Sequence, residues 1–94
     1  MVRHIVMWKF NPGCEKEMEE FFAGLRSLPA QMDIIKRLEI GVSINEKNNY
    51  DAVLITEFET MEDLNSYKND PRHLKVSALC KAIRSARADV DYEF

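Results

Sequence analysis

Cysteine, histidine, glycine and proline are all scarce in this chain, and neither sign of charge dominates it. Its two cysteines, Cys14 and Cys80, stand far apart with no C-x-x-C and no metal-type spacing. That pattern argues against a disulfide framework and against a structural zinc site, and fits reduced thiols without an activating neighbour. The formal charge is only -3 and no stripe of Lys and Arg is present, so a nucleic-acid partner is not expected. No apolar run approaches the roughly 20 residues that span a bilayer. The amino-terminal stretch carries Arg3 and Lys9 where a signal sequence would be continuously apolar, so no membrane partner is expected and the expected compartment is the cytoplasm. Internal repeats, low-complexity segments and linkers are absent, which leaves residues 1–94 as a single domain.

What is present is ordinary for a small globular protein: 46% hydrophobic and 31% charged residues. A chain of this length buries a modest core, and oligomerisation would add to it. Residues 2–10 alternate as a strand, with His4, Val6, Trp8 and Phe10 on one face and Ile5 and Met7 on the other. Asn11-Pro12-Gly13 interrupts it. From Cys14 to Leu28 the period changes to that of an amphipathic helix, whose stripe is Met18, Phe21, Phe22, Leu25 and Leu28. Glu15, Glu17, Glu19 and Glu20 crowd the half where the helix dipole favours anions, and Pro29 ends the run.

Residues 36–44 predict a second strand, with Leu38, Ile40, Val42 and Ile44 alternating against polar positions. A polar turn over Asn45 to Asn49 leads to a third strand, Tyr50 to Phe58. Here Ala52, Leu54 and Phe58 share one face and Val53 and Ile55 the other. Thr60 is placed to cap a short helix that buries Met61, Leu64 and Tyr67. Asp70-Pro71 then predicts a fresh N-cap with proline at the first helical position. The following helix is expected to carry Leu74, Leu79, Ile83 and Ala86 on its apolar side. Val90, Tyr92 and Phe94, alternating with Asp89, Asp91 and Glu93, close the chain as a last strand.

The order βαββαβ is that of a ferredoxin-like α+β fold, an antiparallel sheet with helices on one face. Helices cover only one face of such a sheet, yet the first and third strands are apolar on both. The uncovered face, with Ile5, Met7, Val53 and Ile55, is therefore expected to pack against a second copy of the chain in a symmetric homodimer.

The opening Val2-Arg3-His4-Ile5-Val6-Met7-Trp8-Lys9-Phe10, the junction Tyr67…Asp70-Pro71-Arg72-His73 and the closing Val90-Asp91-Tyr92-Glu93 resemble the Dabb family, the stress-responsive α/β-barrel domain, from end to end. The resemblance implies a dimer whose two ferredoxin-like sheets close into an α+β barrel. A plant cyclase of that family performs a cofactor-free aldol cyclisation of a polyketide thioester. It uses a Tyr-x5-His pair and a further histidine on the first strand, matched here by Tyr67, His73 and His4. The apolar lining of that pocket maps to Val6, Trp8, Phe21 and Phe22. This chain departs from many members in having Asp70-Pro71-Arg72-His73 where they begin the junction with histidine. Bulky Trp8 would also narrow the pocket.

Each of these residues has a functional and a structural reading. His73, as neutral imidazole, can accept a proton near pH 7, or it can simply hydrogen-bond backbone at the helix junction. Tyr67 can polarise a ligand carbonyl or orient His73, or it can be a core aromatic whose hydroxyl reaches a cavity edge. His4 can face a pocket or be a satisfied core histidine. Trp8, Phe21 and Phe22 can stack on a planar ligand or only fill the core. Two histidines with no nearby carboxylate or thiolate make a poor metal site, so neither metal nor cofactor is expected. Two functions follow. One is a cofactor-free enzyme acting on a small apolar or aromatic carbonyl compound, with His73 as base, Tyr67 as electrophilic partner and His4 as a second polar group. The other is a non-catalytic, stress-associated dimer that binds a small apolar ligand or serves as a scaffold. A cofactor-free monooxygenase is a third reading, carried by fold likeness alone.

Overall fold

A computed structural model describes residues 1–94. Strand β1 (Val2–Phe10) is followed by helix α1 (Glu15–Ser27), strands β2 (Arg37–Val42) and β3 (Ala52–Phe58), helices α2 (Met61–Asn69) and α3 (Pro71–Lys81), and strand β4 (Arg84–Glu93). The four strands form one antiparallel sheet in the order β2-β3-β1-β4. This is the ferredoxin-like α+β arrangement that the element order predicts.

The two central strands set the layers. On β1, Val2, His4, Val6, Trp8 and Phe10 are buried, and on β3 so are Ala52, Leu54, Thr56 and Phe58. These side chains share the helix-covered face and meet the stripe of α1, where Phe21, Phe22, Leu25 and Leu28 are all buried. The turn between β1 and α1 is made at Gly13, whose φ of +79° lies in the left-handed region that a side chain disfavours. Thr60 caps α2 by accepting a hydrogen bond from the Asp63 amide at 3.1 Å. Asp70 caps α3 by accepting one from the Arg72 amide at 2.8 Å, with Pro71 at the first turn. The break between α2 and α3 is thus written into three consecutive residues, Asp70, Pro71 and Arg72.

Several local expectations give way to tertiary packing. Helix α3 ends at Lys81, so Ile83 is buried in the turn beyond it and Ala86 lies in β4 opposite Lys9. Leu74 and Leu79 are about half exposed, and the residue that α3 buries is Cys80. Met61 is also exposed, while Leu64 and Tyr67 of the same helix are fully buried. On the sheet's outer edge, Val42 and Ile44 are exposed although their alternation suggested a buried row. Met32 and Ile35, in the connection after α1, join the core without any periodic signal to announce them.

The strand β4 starts at Arg84, earlier than its apolar alternation implies, because it pairs with the whole of β1 from Phe10↔Arg84 to Val2↔Glu93. A register shift between Lys9 and Phe10 accommodates the start of that pairing. Ladder bonds over so long a partner outweigh the weak helical tendency of Ala82 to Ala88. Register also fixes which way β4 faces. Arg87, Asp89 and Asp91 stand opposite Trp8, Val6 and His4 on the helix side, and Ala88, Val90 and Tyr92 stand opposite Met7, Ile5 and Arg3 on the open side.

Candidate functional site

A cavity of about 300 Å3 lies between the covered face of the sheet and the helices. Val6 and Trp8 of β1, Leu54 of β3, and Phe21 and Leu25 of α1 make its apolar wall. Trp8 stands edge-on to Phe21, with ring centroids 5.0 Å apart at 80°, and so forms a side of the cavity rather than filling it. Phe22, grouped with these residues on sequence grounds, does not line it. One residue further round α1, its ring packs on Phe10 at 6.0 Å and Phe21 at 5.8 Å in the closed part of the core.

The structure brings Tyr67, His73 and His4 to this one cavity. Tyr67 comes from the buried side of α2 and His73 from the first turn of α3, and the capped break at Asp70-Pro71 turns the second helix so that the two rings lie 4.3 Å apart. The Tyr67 hydroxyl is buried and has no hydrogen-bond partner within the chain. Burial drives its pKa upward, since the phenolate would be poorly solvated. Tyr67 therefore stays a protonated donor over the physiological range.

His73 is half-buried, and its Nδ1 lies 3.1 Å from the Lys68 carbonyl oxygen. A carbonyl can only accept, so Nδ1 carries the proton and donates it, leaving Nε2 as the free lone pair of the neutral ring. Burial lowers the His73 pKa, with the Lys68 carbonyl opposing. The neutral, proton-accepting form is thereby favoured near pH 7.

His4 is held differently. Its Nδ1 lies 2.5 Å from Asp91 Oδ1 on the neighbouring strand, and Asp91 Oδ2 also lies 3.7 Å from Lys68 Nζ. Burial lowers the His4 pKa more than the Asp91 carboxylate raises it. A histidine whose Nδ1 is tied to a carboxylate has a fixed tautomer and ring orientation.

The remaining wall is polar, and the sequence did not bring it into view: Lys68 of α2, Ser77 and Cys80 of α3, and Arg84, Arg87 and Asp89 of β4. Arg87 and Asp89 pair with each other at 2.6 Å. The spacing of His73, Ser77 and Cys80 at i, i+4 and i+7 was the available signal for α3, obscured by the more conspicuous Leu74 and Leu79. For β4 no local signal existed, because only the register against β1 tells which residues face inward. No group of three or more His, Cys, Asp or Glu side chains is placed to share a metal ion. No helix is long and apolar enough to cross a membrane.

Comparison with curated proteins finds no match. Solved structures do match. A dimeric ferredoxin-like protein of unknown function from Bacteroides fragilis superposes with a TM-score of 0.90 and 30% identity, over 99% of this chain and 95% of that one. The hydroxynitrile lyase of Passiflora edulis superposes with a TM-score of 0.86 and 15% identity, over 97% of this chain and 90% of that one. An antibiotic biosynthesis monooxygenase gives 0.85 and 15%, over 100% and 98% of the two chains. At 15% identity the latter two likenesses concern the fold alone. The stress responsive A/B barrel domain model, Dabb, matches residues 2–94, and the chain therefore belongs to the Dabb family.

Proposed function

We propose that this Dabb protein is a homodimeric, cofactor-free enzyme that removes a proton from a small, largely apolar carbonyl or hydroxyl compound held between sheet and helices. The observation that carries the reading is the buried Tyr67 hydroxyl, unpaired within the chain, on a residue that shares a cavity wall and a ring contact with His73. An unsatisfied buried hydroxyl costs about 1–3 kcal/mol, and a ligand oxygen that accepts its proton would remove that cost.

The chemistry follows from the two environments. A C–H or O–H proton of the ligand passes to His73 Nε2, while Nδ1 keeps its bond to the Lys68 carbonyl. The electron pair moves onto the ligand oxygen, and the Tyr67 hydroxyl donates to the oxyanion that forms. Each group contributes on the order of 10²-fold or more in rate. His4, oriented by Asp91, is the second polar group on the wall. Val6, Trp8, Phe21 and Leu54 make the sheet side of the cavity apolar, which strengthens both interactions there. The Passiflora neighbour, a hydroxynitrile lyase, makes hydroxynitriles a sensible member of the substrate panel.

Self-association is supported by the dimeric Bacteroides relative. In our reading the contact is made by the open sheet face, where Ile5, Val53 and Ile55 are only half-buried and Met7 is exposed in the protomer.

The test is a panel of small ketones, hydroxynitriles, phenols and polyketide-like thioesters assayed against wild type, His73→Ala and Tyr67→Phe. Turnover reduced at least 10²-fold by each substitution is expected. Turnover that His73→Ala leaves unchanged removes His73 from the mechanism. The bond from His73 to the Lys68 carbonyl also favours a second reading, in which His73 only braces the α2–α3 junction and the cavity binds a ligand without converting it. Saturable binding of a panel compound with no turnover would establish that reading instead. The monooxygenase reading has only a shared fold behind it and is not carried further.

A further inference from the structure

The cavity wall is not uniform, and the sheet register shows how its character changes. Reading outward from β3 through β1 to the edge strand β4, the rows are Leu54–Val6–Asp89 and Ala52–Trp8–Arg87. Side chains in such a row share one face. The wall is therefore apolar toward the sheet centre and charged at its β4 edge. Three cations, Lys68, Arg84 and Arg87, line the cavity against a single lining carboxylate, Asp89.

Two of those cations already have partners. Arg87 is 2.6 Å from Asp89, and Lys68 is 3.7 Å from Asp91. Arg84 takes part in none of the chain's ion pairs, although it is half-buried. It follows Cys80 by one turn of chain, and His73, Ser77 and Cys80 line the cavity along one side of α3. From His73 to Cys80 is about 10 Å along a helix axis. Arg84, which lies against the Cys80 thiol and has no carboxylate partner, thus stands toward the other end of the wall from the acid–base pair.

We propose that the ligand of this cavity is an anion, a small apolar or aromatic carboxylate, with its carboxylate on Arg84 and its reactive carbonyl or hydroxyl at Tyr67 and His73. This deepens the acid–base reading of the cavity and rests on it. A planar guanidinium with no carboxylate of its own can bind one through two parallel hydrogen bonds, and its partial burial strengthens the pairing. Ser77 adds a hydroxyl to the same cavity wall. Apolar surface alone would favour the neutral ketone over the matching acid, whose ionised carboxylate is costly to desolvate. Arg84 would reverse that preference.

Binding of a matched pair tests the inference: 4-phenyl-2-oxobutanoate and the neutral 4-phenylbutan-2-one, titrated calorimetrically into wild type, Arg84→Gln, Arg84→Lys and Tyr67→Phe. Wild type is expected to prefer the acid at least 10-fold, with the preference shrinking as salt rises. Arg84→Gln should abolish the preference while leaving the affinity for the ketone unchanged, and Arg84→Lys should retain part of it. Tyr67→Phe should weaken both compounds by a similar factor and leave their ratio intact. Equal affinity of wild type for acid and ketone overturns the anion inference and leaves the acid–base reading standing. A preference for the acid that survives in Arg84→Gln also overturns the role of Arg84. Binding of neither compound at millimolar concentration counts against the anion inference and the carbonyl ligand alike. If Arg84→Gln does not fold, Arg84→Lys and the salt dependence in wild type decide the matter: an unchanged preference at high salt rejects a charge-based anchor.

Discussion

The two faces of the sheet are built from the same strands but solve different problems. On the helix-covered face, β1 and β3 present Val2, Val6, Trp8, Leu54 and Phe58 to α1 and α2, and all are buried within one chain. On the open face the same strands present Ile5, Met7, Val53 and Ile55, joined by Val90 and Tyr92 of β4. These are half-buried or exposed, and Val90 is 56% accessible. The open face also carries an ionic cluster, in which Glu57 pairs with Arg3 at 2.9 Å and with Arg37 at 3.0 Å. The edge strand β4 inverts the usual arrangement, turning its apolar residues outward and Arg87, Asp89 and Asp91 toward the helices. One face thus completes a core and lines a cavity, while the other leaves apolar side chains uncovered in the protomer.

Substitutions should separate the two faces. Phe58→Ala, at a fully buried site of the covered face, should cost about 3–5 kcal/mol of folding stability at any protein concentration. Chemical denaturation measures it, and a loss below about 1 kcal/mol would mean that the covered face is loosely packed. Met7→Glu on the open face should cost about 3 kcal/mol of association by placing an unpaired charge at the interface. Light scattering should then report the 11.0 kDa protomer mass in place of twice that value, with the circular dichroism of the fold retained. A dimer that survives Met7→Glu would move the interface elsewhere.

Tyr67→Phe sharpens the contrast between stability and function within the covered face. It removes a buried hydroxyl that has no partner in the chain, so stability should be unchanged or higher by up to about 1 kcal/mol, while ligand affinity falls. A marked loss of stability would show that the hydroxyl is satisfied in solution.

The two cavity histidines predict a pH dependence. Burial lowers both pKa values below that of the unfolded chain, so at mildly acidic pH the unfolded state binds more protons than the folded one. Their contribution to stability is fully present above the unfolded imidazole pKa of about 6.5 and is lost as pH falls through the lower folded values. Denaturation midpoints between pH 8 and pH 5 should therefore decline, and His73→Gln should flatten the decline. A rise in stability over that window would contradict the assigned direction.

A local effect is expected at the helix junction. Arg72 holds the Asp70 carboxyl down to about 2, well below its usual range, so the cap stays ionised throughout the accessible pH range. Asp70→Ala should lower the melting midpoint by a few degrees and, by loosening the start of α3, weaken ligand binding through His73. An unchanged midpoint would mean that Pro71 alone sets the junction.

The chain's own residues determined the element order, the two-faced character of β1 and β3, the caps at Thr60 and Asp70, and the candidate set His4, Tyr67 and His73. Those features are local: a period of two or of 3.6, a capping side chain, or a proline at a boundary speaks through neighbours within a turn or two. Tertiary structure decided the rest. It excluded Phe22 from the cavity while keeping Phe21 in it, because α1 rotates only one of two adjacent rings toward Trp8. It placed Arg84, Arg87 and Asp89 on the wall and Asp91 against His4, because strand pairing across more than seventy residues of sequence sets which side of β4 faces inward. It left Leu74 and Leu79 in solvent and buried Met32 and Ile35, since burial depends on what another element covers. Sequence periodicity reports that a residue can face a core, and only the packing of distant segments decides whether a core or a cavity is there to receive it.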